Sequence, residues 1–96
     1  MSFTHVVTFK WDEQGVDESA VTTTLMTLVR SLTGVDFYQC GPDADLAQGN
    51  WDYAVIGVFA TRDDFIAYRD HPEHRRILAD LIVPYLADKT VVQIAT

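Results

Sequence analysis

Residues 3–11, Phe-Thr-His-Val-Val-Thr-Phe-Lys-Trp, alternate with period two and are rich in aromatic and β-branched types, which predicts a β-strand. Phe3, His5, Val7, Phe9 and Trp11 share one face of it; Thr4, Val6, Thr8 and Lys10 share the other. A turn is expected from Asp12 to Gly15. The period then changes, and Val21, Leu25, Leu28, Val29 and Leu32 recur at helical spacing. A helix is expected to about Thr33, with Asp17 as its N-cap, Glu18 in its first turn and Gly34 at C′. Thr22 to Thr24 is poor helix material, but the apolar stripe outweighs it.

Residues 35–40 read as a second strand and residues 41–50, with Gly, Pro, Asp and Asn, as a loop. Residues 51–60 read as a third strand. Trp51, Tyr53, Val55 and Phe59 point one way, and Ala54, Ile56, Val58 and Ala60 the other, so both faces are apolar and both need cover. Thr61, followed by Asp63 and Asp64, begins a short helix carrying Phe65, Ile66 and Tyr68. His71-Pro72 interrupts it, and Pro72 suits the first position of a new helix. His74, Ile77, Leu78, Leu81 and Ile82 share one face of that helix, Pro84 ends it, and residues 90–95 form the closing strand.

This is an α+β chain in the order β-α-β-β-α-β, the ferredoxin-like pattern, read as one domain over residues 1–96. Two helical segments cover one side of a four-stranded sheet. The other side is apolar too, and a second copy meeting it across a two-fold axis covers it most economically. A homodimer through the sheet face is therefore expected.

Charge narrows the partners. Fourteen acidic and seven basic residues give a net charge of −7, which removes the electrostatic drive for nucleic acid or an anionic membrane. Cys40 is the single cysteine, which suits a reducing compartment. The chain has no apolar run of about 20 residues, and its start lacks a basic segment and a cleavage site. A cytoplasmic protein is expected. No phosphate loop, dinucleotide fingerprint, nucleophile elbow or haem-attachment motif is present, so no cofactor is expected.

Two histidines could carry chemistry. His5 is the polar member of an apolar strand row, and His74 is the polar member of an apolar helix stripe. The first strand lies centrally in this topology and the last helix packs over the sheet, so the imidazoles can meet in a cleft as an acid/base pair. Each could instead simply hydrogen-bond in the core. Tyr68 falls near the same cleft, and Tyr53 projects toward it from the third strand. His71 and His74 have a ligand-like spacing, but Pro72 breaks the helix between them and no cysteine is near. A helix-start role for His71 is the stronger reading, and no metal is expected.

Three segments together resemble the stress-responsive A/B barrel (Dabb) family of dimeric α+β barrels. They are His5-Val6-Val7-Thr8-Phe9-Lys10-Trp11, Trp51-Asp52-Tyr53 leading to Val58-Phe59, and Tyr68-Arg69-Asp70-His71-Pro72-Glu73-His74. The last of these, Tyr-x-x-His-Pro-x-His, is the most specific, and the resemblance runs over essentially the whole chain. It implies a ferredoxin-like subunit whose sheet pairs with a partner's to make a barrel. The family includes plant stress proteins without established catalysis and a plant polyketide cyclase. By resemblance to the cyclase, His5 and His74 are the acid/base pair and Tyr68 assists. Two positions depart from it: Leu25 stands where the cyclase type has a tyrosine, and Tyr53 where it has a histidine.

Two functions follow. The first is a hydrophobic small-molecule pocket between sheet and helices, stress-associated or ligand-binding, lined by Phe3, Val7, Leu25, Tyr53 and Leu78. The second is a cofactor-free cyclase or isomerase acting on a polyketide-like carbonyl compound through His5, His74 and Tyr68. Cofactor-independent monooxygenase chemistry, known from sibling barrels, ranks below both because no motif supports it.

Overall fold

In a computed structural model the described residues are 2–12 and 15–96. Of the turn expected over residues 12–15, Glu13 and Gln14 lie outside them. The alternating segment forms strand β1 (Phe3–Trp11), and helix α1 (Glu18–Arg30) follows. Asp17 caps α1, its carboxylate accepting from the Ala20 N–H at 2.9 Å, which satisfies one of the helix's unpaired amides. Strands β2 (Val35–Pro42) and β3 (Tyr53–Phe59) lead to helices α2 (Arg62–Asp70) and α3 (Pro72–Ile77). The helical path continues through a π turn (Leu78–Ile82) and a 3-10 turn (Val83–Tyr85) into β4 (Leu86–Ala95).

The strands form one antiparallel sheet in the order β2-β3-β1-β4, and the helices lie on one of its faces. Val7, Phe9, Tyr53, Val55 and Phe59 are buried there beneath Val21, Leu25 and Leu28 of α1 and Phe65 and Tyr68 of α2. On the opposite face Phe37, Ile56, Val92 and Ile94 remain exposed. Phe37 reaches that face because the register slips between Val35 and Phe37, one extra residue reversing the alternation. Among the described residues no helix is long and apolar enough to cross a membrane.

The ferredoxin-like order is as expected, but the barrel is corrected. The sheet is open, with β2 and β4 as two edges that do not pair with each other. The barrel expected with a partner's sheet needs strands curled to the tilt and stagger of closure, and these four form one open layer instead. Element boundaries also move. Helix α1 ends at Arg30, with the Ser31 N–H returning to the Leu28 carbonyl, so Gly34 does not close it. Gly34 instead takes a positive φ of 77° in the turn into β2, and its carbonyl accepts from the Ala60 N–H at 2.9 Å. β3 excludes Trp51 and Ala60, and β4 begins at Leu86 rather than Thr90.

Candidate functional site

The interruption at His71-Pro72 organises the site. An uninterrupted helix would send the Glu73 N–H to the Arg69 carbonyl. Here the Glu73 N–H donates to His71 Nδ1 instead, at 3.0 Å, so that His71 caps α3 with Pro72 in its first turn. The Arg69 carbonyl is thereby left without a backbone partner, and His74 Nδ1–H donates to it at 3.0 Å. A carbonyl can only accept, so the proton sits on Nδ1 and neutral His74 carries its lone pair on Nε2. The helix break thus sets the tautomer of the histidine one turn later.

His5 has the opposite tautomer. β1 lies between β3 and β4, and His5 stands opposite Gly57 on one side and Gln93 on the other. A Cβ at Gly57 would lie 2.8 Å from the Phe59 ring and 3.2 Å from the Tyr38 ring, so glycine lets those rings close over β3 at this position. The Gln93 Nε2–H donates to His5 Nδ1 at 2.9 Å. An amide nitrogen can only donate, so neutral His5 keeps its proton on Nε2. No buried side-chain nitrogen or oxygen lacks a partner among the described residues. Both Nε2 atoms, which make no hydrogen bond among the described residues, therefore open onto accessible space.

That space is a cavity of about 200 Å³ between the sheet and the helices. His5, Tyr68 and His74 line it together. The Tyr68 ring lies 4.3 Å from the His74 ring and 6.3 Å from that of His5, centre to centre. The Phe65 ring lies 4.7 Å from that of His5. The Tyr68 hydroxyl is shared with Tyr38 at 2.7 Å. Burial raises the Tyr68 phenol to about 12 and holds it neutral. Burial, reinforced by repulsion from His74, lowers His5 from 6.5 to about 4. His74 is also lowered, first by burial and against the pull of the Arg69 carbonyl. Both imidazoles are therefore neutral at pH 7.

Of the expected lining residues, Val7, Leu25 and Leu78 border the cavity. Phe3 and Tyr53 are outside its lining. Phe3 stacks on Phe65 at 5.0 Å. Tyr53 is buried beside α1, its hydroxyl shared with Thr22 at 2.6 Å. Sequence reasoning passed over Phe65, Arg69, Ile82, Lys89, Val91 and Gln93, which also line the cavity. The signal for Gln93 was its place in the alternation of β4, in phase with Val91. Among the described residues no group of three or more His, Cys, Asp or Glu side chains could hold a metal ion.

The comparisons bear on this architecture. The profile described as Stress Responsive A/B Barrel Domain matches residues 3–95. The chain belongs to that family. A dimeric ferredoxin-like protein of unknown function from Thermobifida fusca YX is 38% identical, with a TM-score of 0.88 over 100% of this chain and 92% of that one. A second dimeric ferredoxin-like protein of unknown function, from Jannaschia sp. CCS1, is 21% identical, with a TM-score of 0.85 over 100% of both chains. A Dabb family protein with a ferredoxin-like fold from Mesorhizobium loti is 16% identical, with a TM-score of 0.76 over 99% of this chain and 96% of that one. At those two lower identities the likeness is one of fold. Comparison with curated proteins gives no match. This Dabb member carries the Tyr-x-x-His-Pro-x-His segment as the device that ends α2, caps α3 and orients His74.

Proposed function

We propose that this Dabb protein is a cytoplasmic homodimer that binds a small, mainly apolar molecule in the cavity beneath α2 and α3. The observation that carries the ligand reading is an apolar cavity interrupted by two neutral imidazoles, one from the sheet and one from the helices. Few polar groups converging in an apolar concavity is the usual make-up of a small-molecule site. A cavity of about 150 Å³ holds benzene, so this one, at about 200 Å³, takes an apolar body of about eight heavy atoms by proportion. Dimerisation is supported by the exposed apolar sheet face and by the dimeric relatives. The lone free thiol, Cys40, suits the cytoplasm.

A second reading, a cyclase- or isomerase-type proton transfer at a carbonyl compound, is favoured by one observation: the two tautomers are complementary. The His74 Nε2 lone pair takes a proton from the carbon next to a carbonyl, and His5 Nε2–H donates a hydrogen bond to the oxygen as it becomes an enolate. The proton returns to the carbon when the enolate collapses. Tyr68 supports the His74 ring. Acetophenone, a neutral aryl ketone of matching size, tests both readings. It should move the imidazole NMR signals of His5 and His74, and in D2O its methyl protons should exchange faster with wild type than with His74→Gln. Unmoved imidazole signals at saturating ketone would overturn the ligand site; moved signals without faster exchange would overturn the proton transfer alone.

A further inference from the structure

The chain carries 14 acidic residues and a net charge of −7, yet among the described residues no acidic side chain lines the cavity. Two of the seven basic residues line it instead, Arg69 and Lys89. Their situations differ. Arg69 Nε–H and Nη2–H donate to the Asp70 carboxylate at 2.9 and 3.2 Å, so half of its fork is occupied and much of its charge is balanced. Among the described residues Lys89 is in no ion pair. It stands exposed on β4 opposite Phe9, on the face that Val91 and Gln93 share. Four positions separate Lys89 from Gln93, the partner of His5, which is roughly 13 Å along a strand. An unpaired cation therefore marks one end of the cavity and the histidines mark the other.

We infer that the ligand is a monocarboxylate with an apolar body, its carboxylate held at the mouth by Lys89 and its far end directed toward His5 and His74. This rests on the cavity being a ligand site and adds the chemical class and the orientation of what enters it. An apolar lining cannot stabilise a charge, so the anion stays at the rim, where Lys89 donates charge-assisted hydrogen bonds. Arg69 adds field of the same sign. The net charge of −7 disfavours an anion over the surface as a whole, and within the cavity the two cations make this mouth the favoured place for it.

Octanoate and octanamide test this, since they differ in charge and hardly in shape. Both are titrated at low salt while the His5 and His74 imidazole signals are followed by NMR. Octanoate should bind about five- to tenfold more tightly, and the gap should narrow as salt rises. Lys89→Gln should bring octanoate to within about twofold of octanamide and leave octanamide unchanged, whereas Arg69→Gln should have the smaller effect. Equal affinity of the two for wild type would overturn the carboxylate. A preference that survives Lys89→Gln would overturn the assigned orientation. If acetophenone also leaves both imidazoles unmoved, the ligand site itself fails; if acetophenone binds and octanoate does not, only the present inference fails.

Discussion

Neutral His5 in the folded chain should make stability fall with acid in a window that the geometry defines. Burial and the neighbouring His74 hold its imidazole near 4, against 6.5 in the unfolded chain. Above pH 6.5 both states are neutral at this position and it contributes no pH dependence. Between 6.5 and 4 the unfolded state takes up a proton that the folded state refuses, so unfolding is favoured as pH falls. Below 4 both states are protonated and the slope from this group ends. At about 1.36 kcal/mol per pH unit the full window is worth up to about 3 kcal/mol. The cavity opens to solvent beside His5, and screening there reduces the expected loss to roughly 1–2 kcal/mol. His74 is lowered in the same direction and adds to the slope.

His5→Gln isolates the effect, because glutamine occupies the site without titrating. Urea melts of both proteins, followed by circular dichroism between pH 7 and about 3 at one fixed protein concentration, give the two stability curves. Acidic residues contribute equally to both, so their difference reports His5. The wild-type curve should drop more steeply through pH 6 and 5 and then run parallel to the variant's below 4. Parallel curves throughout would mean that His5 titrates alike in the folded and unfolded states. The buried, Gln93-bonded imidazole would then be the wrong description of the site.

Two further outcomes test the frame around the cavity. Leu28, 4% exposed on the buried stripe of α1, should cost about 2–5 kcal/mol when changed to alanine, as measured by denaturant melts. An unchanged midpoint would contradict the phase of that helix. Ile56→Asp, on the uncovered sheet face, should convert a sedimenting dimer to monomer by placing a charge where a partner would bury it. A dimer that persists would put the contact elsewhere.

The frame was legible because it depends on periodicity. The β1 alternation, the α1 stripe and the Thr61 and Pro72 starts are local signals, and each reappears in the strand or cap it implied. His5 and His74 were legible for the same reason, as polar members of apolar rows whose elements the topology brings together. Closure of the sheet was not a local signal. It was carried over with the family resemblance, as a barrel made with a partner's sheet, and nothing in the alternation of the strands requires the sheet to curl. Tyr53 shows the limit of reasoning by face alone. It does point to the helical side of the sheet, but Thr22 takes its hydroxyl beneath α1, away from the histidines.

What escaped reading most completely was the β4 wall, and the reason is physical. Its first half, Leu86 to Lys89, follows a proline turn and carries two charges with little apolar alternation, so periodicity starts the strand only at Thr90. Pairing begins earlier because Trp11 and Lys10 of β1 supply the ladder, with a register shift between them. That extension adds Lys89 to the cavity side that Val91 and Gln93 share, so that one cation, one apolar residue and one amide stand there at alternate positions. A stretch too polar to announce itself as a strand thus supplies the cation at the mouth, which is in no ion pair among the described residues, while the expected half of β4 supplies the Gln93 that sets the tautomer of His5. Edge strands next to a binding cavity combine these properties naturally. Their outer backbone and one face meet solvent, so polar side chains cost little there, while alternation still delivers every second residue to the ligand.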